Sequence, residues 1–455
     1  MARRSRLILF LAAGVALLAI ACVALLAVHV EPAIRVGTAV TSQTLCGEVF
    51  VSGLDPARVF AEEIEPRSGM RRLFKRLRYT VDAEHRRVVT TWAGHFAAVA
   101  TYHAGYGCTL GNAKFPLPAL APSAPEIPAT PVAPANPQLA AALDRAFAEP
   151  AGPPFRRVRA IVVMRDGKIV AERYAPGIGP DTPLIGYSVS KSVIHALAGI
   201  LVHEGKLSLY APAPVRAWSG AGDPRRAITL DNLLRMTSGL DLTENDSGLD
   251  PVSRMMFLER DMAAFAEKAP LKAAPGTAWE YTSGNTLIVS AMIRDAVGGR
   301  AEDVLRFAHA QLFDPLGMRH VTMEFDDAGT PIGCTRVYAS ARDWARFGEL
   351  YLNGGVVNGT RILPPGWAAS ASAPTLDSPY GSGFWTNAGS SADARGRVQA
   401  GMPPDSYYAS GNFGQRIVIV PSQRLVIVRF GATVGYPGDD IHGLTRLVAD
   451  VIAAR

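Results

Sequence analysis

Residues that bind metals are scarce in this chain, which has nine histidines and four cysteines among its 455 residues. His85, His95 and His103 do not have the spacing of metal ligands. His203 is followed by a glutamate, but no second histidine stands four positions after it, so the zinc-binding helix motif is absent. We therefore expect neither a metal site nor a cofactor.

Charged residues are also few, at 19% of the chain against 48% hydrophobic residues, a balance typical of a globular protein. The net charge is +6, but basic residues do not alternate with aromatic ones and no nucleic-acid-binding motif is present. We expect no nucleic-acid partner. The chain also lacks Gly-x-Ser-x-Gly, which excludes one common way of presenting a nucleophilic serine. Its length predicts two or three structural units.

The N-terminus carries a basic flank, Arg3-Arg4-Ser5-Arg6, followed by an uncharged apolar run, Leu7 to Val28. A helix of this length, rising about 1.5 Å per residue, can cross a hydrocarbon layer of about 30 Å. The flank predicts a cytoplasmic N-terminus with the rest of the chain exported. Since the run is long and no clear cleavage site follows it, we expect residues 1–30 to be an uncleaved inner-membrane anchor with a periplasmic or extracytoplasmic catalytic domain; a cleaved signal and a secreted protein are the alternative.

Residues 31–114 form a predicted small α/β unit, called here the N-terminal module. It contains Cys46 and Cys108, and two cysteines in an exported chain predict a disulfide between them. Residues 77–81 and 87–91 read as a hairpin, 97–102 as a third strand and 55–65 as a short helix. We find no catalytic group of residues in this module.

Residues 115–138 are rich in proline and alanine and predict an extended, semi-rigid linker. The remaining domain, 139–455, begins with strands at 160–164 and 168–174 joined by a hairpin turn. Its middle third is mostly helical, and strands return at 416–420 and 425–429 before a terminal helix at 443–454. Strands at both ends with helices inserted between them predict an α+β fold in which the first and last strands share one antiparallel sheet.

Ser188-x-x-Lys191 stands at the start of a long apolar run, Val189 to Val202, whose apolar residues have helical spacing. Three residues apart on a helix, the hydroxyl and the amine share one face. Ser188 falls in the first turn, where backbone N–H groups lack intrahelical partners. A hydroxyl, an amine and free N–H donors are the components of an acyl-transfer site. A helix-capping serine beside a surface lysine is the simpler alternative.

Two later stretches add to this pattern: Tyr281-x-Ser283, and Ser410-Gly411 just before the strand at 416–420. In this order, the three stretches resemble the motifs of the penicillin-recognising serine hydrolases. The tyrosine is typical of the branch with class C β-lactamases, D,D-peptidases and esterases, and within it the chain is most similar to the 6-aminohexanoate-dimer hydrolase-like group. The resemblance covers about 155–450 and rests on residues 181–184, 187–192, 233–240, 338–348, 380–385 and 411–415.

This resemblance implies a β-lactamase/D,D-peptidase-like fold, with an antiparallel sheet flanked by helices and a mostly helical subdomain. It also implies that Ser188 is the nucleophile and becomes acylated, while Lys191 and Tyr281 share the proton. Because lysine and tyrosine both titrate near pH 10, we expect burial and a neighbouring positive charge to lower the pKa of each.

The family pattern further implies an oxyanion hole formed by the backbone N–H groups of Ser188 and Asn412. Ser283, Ser410 and Gly411 are the expected substrate-binding residues. The chain departs from the pattern at Ala409, where β-lactamases and peptidases carry lysine or histidine to hold a substrate carboxylate. Ser283 also replaces the usual asparagine, and Asn285 is a candidate substitute.

The sequence therefore predicts an exported or membrane-anchored serine hydrolase that cleaves a small-molecule amide or ester. A cell-wall D,D-peptidase or a β-lactamase is one alternative, which Ala409 disfavours. A non-catalytic module that binds in the cell envelope is another, which the presence of all three reactive side chains disfavours.

Overall fold

The computed structural model describes residues 10, 13–15, 18, 30–67, 75–111, 130–134, 136–245, 248–436, 438 and 440–454. The predicted anchor at 7–28 and the predicted linker at 115–138 lie largely outside these residues. In the part of the chain that is described, no helix combines the length and apolar character that a membrane span requires.

The N-terminal module contains two helices and a four-stranded antiparallel sheet in the order β1-β2-β3-β4. Its elements are α1 (Glu31–Phe50), α2 (Pro56–Val59) with a π-helical turn (Phe60–Ile64), β1 (Leu77–Asp82), β2 (Arg87–Trp92), β3 (His95–His103) and β4 (Gly107–Leu110). The predicted short helix and three predicted strands are present. Helix α1 was not predicted, because its many threonines, serines and glycines give no apolar stripe.

The larger domain follows as α3 (Pro137–Phe147), β5 (Val158–Arg165), β6 (Lys168–Tyr174), β7 (Leu184–Ile185), α4 (Ser190–His203), α5 (Leu230–Leu234), α6 (Pro251–Leu258), α7 (Met262–Glu267), α8 (Ser283–Val297), α9 (Ala301–Ala308), β8 (Thr322–Met323), β9 (Val337–Ala339) and α10 (Ala341–Leu352). It ends with β10 (Val356–Val357), β11 (Thr360–Arg361), α11 (Trp367–Ser372), β12 (Trp385–Thr386), α12 (Ala392–Gln399), β13 (Tyr407–Gly411), β14 (Gln415–Val420), β15 (Leu425–Gly431) and α13 (Ile441–Ala453).

The central sheet has six antiparallel strands in the order β12-β13-β14-β15-β5-β6. β15 pairs with β5 from Leu425 opposite Arg165 onwards, so strands from the two ends of the domain lie side by side, as the sequence predicts. β5 and β6 are joined by Asp166-Gly167, both with positive φ, which is the turn geometry that suits the twist of a two-residue hairpin. The predicted α+β architecture is thereby confirmed.

Both faces of this sheet are covered. On β14, Ile417 and Ile419 enter the larger core, which contains α4, α8 and α10, whereas Val418 and Val420 enter a second core with α3 and α13. This alternation follows from the two-residue period of a strand. Every residue of β14 is buried, and its apolar run extends from Ile417 to Val420 after the buried polar residues Gln415 and Arg416.

The N-terminal module and the larger domain share the larger core. Every residue of α1 from Val36 to Glu48 is buried, although several are polar. The helix packs on β2 and β3 on one side and contacts α6 on the other. Gln43 donates to the Glu324 carboxylate at 3.3 Å, so polar contacts also cross between the module and the larger domain. Helix α1 is therefore an interior element between the sheet of the module and the larger domain.

Cys46 of α1 and Cys108 of β4 form the predicted disulfide, with their Cα atoms 6.1 Å apart. Both are fully buried. The backbone N–H of Cys108 donates to the Glu324 carboxylate at 3.0 Å. The bond therefore ties the module's helix to its sheet at the boundary with the larger domain.

Replacing Cys46 and Cys108 together by alanine is expected to lower the free energy of unfolding by about 4 kcal/mol in the chain-entropy model, because it opens a 62-residue loop in the unfolded chain. Urea unfolding without reductant measures the change. Cys334→Ala, which removes a buried thiol that forms no cross-link, is the control and should cost much less. An equal loss in both proteins would contradict the prediction.

Candidate active site

The predicted nucleophile lies where the chain leaves a short strand and enters a buried helix. After β7, residues Tyr187–Val189 form a 3₁₀ turn that leads directly into α4. Ser188 is half-buried, and α4 is buried from Ser190 to Leu201 because its apolar residues pack against the sheet. The chain reverses after α4 at Gly205, whose φ is +71°. The predicted helix, its start and its stop are confirmed.

Lys191 stands at the centre of the site, with only 3% of its surface exposed. Its Nζ donates to Ser188 Oγ, to Ser283 Oγ and to the carbonyl oxygen of Cys334, each at 3.0 Å. An ammonium has three donors, so these three bonds use all of them. A buried ammonium held in this way has one fixed position, directly beside the serine hydroxyl.

Tyr281 approaches the same two side chains from the loop before α8. Its phenol is close enough to interact electrostatically with Lys191, and Lys191 Nζ lies 4.9 Å from its ring centroid. The ring is packed edge-on to Tyr380 at 5.8 Å and lies 5.5 Å from Trp385. These aromatic contacts orient the phenol towards the serine.

Glu244 is a member of the site that the sequence analysis missed. Its carboxylate accepts from the backbone N–H of Ser283 at 2.5 Å and from Ser283 Oγ at 3.0 Å. A chain of polar contacts therefore runs from Lys191 through Ser283 to Glu244. Asn285, the candidate substitute for Ser283, instead accepts from Ser238 at 2.7 Å. The only local signal for Glu244 is its place four residues after Thr237-Ser238-Gly239-Leu240.

The pKa shifts at the site run opposite to the expectation. Burial by itself lowers the pKa of Lys191, but Tyr281, Glu244 and Cys334 raise it above its ordinary value. Burial raises the pKa of Tyr281, and this outweighs the opposing effect of Lys191. The prediction that both pKa values are lowered is wrong, because burial raises the pKa of a phenol and because the carboxylate of Glu244, which the sequence did not reveal, raises both values. The resting pair is an ammonium and a neutral phenol.

The third motif meets the nucleophile at the end of β13. A Cβ atom at Gly411 would lie 2.2 Å from the Gly186 carbonyl oxygen and 3.1 Å from the Ser188 nitrogen, so only glycine fits. Asn412 follows at an exposed position, where a 3₁₀ turn begins. Ala409 is 1% exposed and faces the larger core. The structure thus brings the strand end that carries Asn412 against the backbone of Ser188.

Ser410 faces a cavity of about 550 Å³, whose lining includes Trp385, Arg397, Tyr408, Arg416 and Ile441. Trp385 also contacts the ring of Tyr281. Trp385 is thus the link between the cavity and Tyr281, while Ser188, Lys191 and Tyr281 are not among the residues that line the cavity. Among the described residues, no group of three histidine, cysteine, aspartate or glutamate side chains is placed to hold a metal ion.

A serine hydroxyl beside a buried lysine and a tyrosine, on this sheet-and-helix scaffold, defines a serine hydrolase. The sequence model of the beta-lactamase family matches residues 155–450, and the chain belongs to that family. The resemblance inferred from the three motifs is confirmed.

Two curated relatives are hydrolases of this kind. The 6-aminohexanoate-dimer hydrolase of Paenarthrobacter ureafaciens is 27% identical over 227 residues, 47% of this chain and 57% of the relative. The esterase EstB of Burkholderia gladioli is 31% identical over 209 residues, 40% of this chain and 50% of the relative. The chain therefore spans about half the length of each. A penicillin-binding protein homologue from Caulobacter crescentus has the same fold, with a TM-score of 0.54 and 19% identity over 72% of this chain and 99% of its own.

Glu244→Gln is expected to shift the ascending limb of the kcat/KM profile, on which activity rises with pH, to lower pH. A group that must lose a proton to act is active only above its pKa, and Glu244 raises the pKa of both Lys191 and Tyr281. Glutamine keeps one acceptor for Ser283 and removes the charge. Hydrolysis of a p-nitrophenyl ester from pH 6 to 11, corrected for spontaneous hydrolysis, measures the profile.

The control is Glu280→Gln, which removes a carboxylate next to Tyr281 in sequence that pairs with Lys272. This variant should leave the ascending limb in place. An ascending limb that stays unmoved or moves to higher pH in Glu244→Gln would contradict the assignment of Glu244.

Proposed function

We propose that the protein is an exported serine hydrolase that cleaves an ester or a linear amide through an acyl-enzyme on Ser188. The observation that carries this proposal is the buried Lys191 ammonium, whose Nζ lies 3.0 Å from Ser188 Oγ. The ammonium of Lys191 is buried, and all of its hydrogen bonds are made inside the protein, one of them to the hydroxyl of Ser188. Covalent catalysis by serine needs an adjacent base, and Lys191 can act as one when it has lost a proton.

Acylation begins when Ser188 Oγ attacks the substrate carbonyl carbon. The reactive form of the pair has one proton fewer than the resting form, so that Lys191 and Tyr281 share a single proton and accept the proton of Ser188. Tyr281 then donates a proton to the leaving group as the carbon–heteroatom bond breaks. A water molecule, deprotonated by the same pair, attacks the acyl carbon and releases Ser188.

The developing oxyanion is held by the backbone N–H groups of Ser188 and Asn412. The close approach of Gly411 to the Ser188 nitrogen supports this arrangement. A backbone donor aimed at the oxyanion contributes about 10²–10³ in rate. The raised pKa values of Lys191 and Tyr281 keep the reactive form a minor fraction at neutral pH.

The substrate is a neutral ester or linear amide. Ala409 supplies no charge where related β-lactamases and peptidases carry lysine or histidine, and its side chain is turned into the core. Arg416, the strand partner of Ser410, donates to the carbonyl oxygens of Gly411 and Gly438, so its guanidinium is engaged with backbone. An amide and an ester are named by the two curated relatives. Ser283, Ser410 and Gly411 are the proposed substrate-binding residues: Ser283 accepts from Lys191 Nζ, and Gly411 packs against the backbone of Ser188.

The protein acts outside the cytoplasm, anchored in the inner membrane by residues 7–28 or secreted after their removal. The basic flank and apolar run at the N-terminus support this location. The buried disulfide between Cys46 and Cys108 also supports it, because such bonds persist in oxidising compartments.

A fluorophosphonate probe is expected to add one phosphonyl group to the wild-type protein, because it reacts with activated serines. Ser188→Ala should take up none, whereas Ser190→Ala, altered two residues further along, should still be labelled. Intact mass spectrometry measures the adduct. Labelling of Ser188→Ala at the wild-type level, or no labelling of wild type, would reject the proposed mechanism.

Turnover of short-chain esters, linear amides and penicillins by the same proteins then identifies the substrate class. Ester or linear-amide turnover without penicillin acylation is expected. Penicillin acylation of Ser188 would instead indicate a D,D-peptidase or β-lactamase, and an inert Ser188 would indicate a binding module.

A further inference from the structure

The residue directly before the nucleophile is held by the N-terminal module. Tyr187 is 6% exposed, and its hydroxyl donates to the Glu63 carboxylate at 2.7 Å. Glu63 lies in the π-helical turn that follows α2 and is 1% exposed. Burial and Glu63 hold the pKa of Tyr187 well above its ordinary value, so the phenol remains a neutral donor.

Glu63 is itself fixed by a buried ion-pair network between the module and the central sheet. The guanidinium of Arg159, on β5, lies 2.7 Å from Glu63 Oε1 and 3.1 Å from Glu48 Oε2. Arg159 also lies 3.3 Å from Glu62. A carboxylate with such a partner on a central strand has little freedom to move away from Tyr187.

The same module reaches the other side of the predicted oxyanion hole. Phe413, the residue after Asn412, packs edge-on against the ring of Tyr187 at 5.1 Å. The guanidinium of Arg67 lies 4.9 Å from the centroid of the Phe413 ring, and its Nη2 lies 3.4 Å from the Tyr187 hydroxyl. Arg67 therefore contacts the neighbours of both Ser188 and Asn412.

Both of these neighbours have a backbone conformation that bulky residues rarely adopt. The φ angle is +45° at Tyr187 and +61° at Phe413. Such conformations persist only where surrounding contacts hold them, and they are concentrated at functional sites. The contacts that hold Tyr187 and Phe413 include Glu63 and Arg67, from a module that lies outside the 155–450 match to the beta-lactamase family.

We propose that Glu63 and Arg67 are positioning residues, which hold the Tyr187–Ser188 turn and Phe413 so that two backbone N–H groups converge on the oxyanion. This inference rests on the proposed acyl-enzyme function of Ser188. It makes the N-terminal module a working part of the hydrolase, because two of its side chains set the geometry around the nucleophile.

The test compares Tyr187→Phe and Glu63→Gln with Glu62→Gln in the full chain. Tyr187→Phe removes only the hydroxyl and keeps the ring on Phe413. Glu63→Gln removes the charge that holds the hydroxyl. Glu62→Gln removes a carboxylate of the same turn that pairs with Arg159 but does not contact Tyr187, and it controls for weakening of the ion-pair network.

Loss of oxyanion geometry acts on the transition state, so kcat for a p-nitrophenyl ester should fall roughly 10- to 100-fold in Tyr187→Phe and Glu63→Gln. KM should stay within about threefold of wild type, and single-turnover acylation should slow to the same extent as kcat. Glu62→Gln should keep wild-type kcat. If Glu63→Gln fails to fold, Tyr187→Phe decides, since it has lost only one hydroxyl.

Wild-type kcat in Tyr187→Phe and Glu63→Gln, or an equal fall in Glu62→Gln, would overturn the positioning role. So would a rise in KM at unchanged kcat. Each of these results is distinct from failure of the proposed function, in which Ser188→Ala itself remains labelled and active.

Discussion

The buried ammonium of Lys191 is the interaction on which the rest of the site depends. A charge this far from water is stable only with hydrogen-bond partners, and Lys191 has three, from the turn before α4, from the start of α8 and from the loop that leads to β9. These three elements are distant in sequence. The lysine therefore requires the helical part of the domain to close on α4, and it fixes the hydroxyl of Ser188 within reach of Tyr281.

A second set of buried acidic and polar groups lies in the same region, at the boundary between the N-terminal module and the larger domain. Glu48 and Glu63 meet Arg159 on the central sheet, and Glu324 accepts from both Gln43 and the backbone of Cys108. Burying ions costs free energy unless the partners are well placed, so such networks fix one relative arrangement of the parts they join. The turn that carries Ser188 lies against this boundary. The module and the family domain thus form a single core around the site.

The sequence predicts the parts of this structure that follow from local periodicity and from the three motifs. Strands β5, β6, β14 and β15 have clear apolar runs, and their pairing follows from the α+β order. Helix α1 is not predicted, because its burial depends on two partners and not on an apolar stripe. Glu244 and the Cys334 carbonyl are not predicted, because they come near Lys191 only through tertiary folding. The predicted direction of the pKa shifts is wrong because burial raises the pKa of a phenol and because Glu244 adds to the rise.

A crystal structure of the fluorophosphonate-treated protein tests most directly whether the lysine organises the site. We expect phosphorus bonded to Ser188 Oγ, with Lys191 Nζ still about 3 Å from that oxygen and from Ser283. The phosphonyl oxygen should accept from the backbone N–H groups of Ser188 and Asn412. Phosphorus on another residue, or a Lys191 side chain turned away from Ser188 towards solvent, would contradict it.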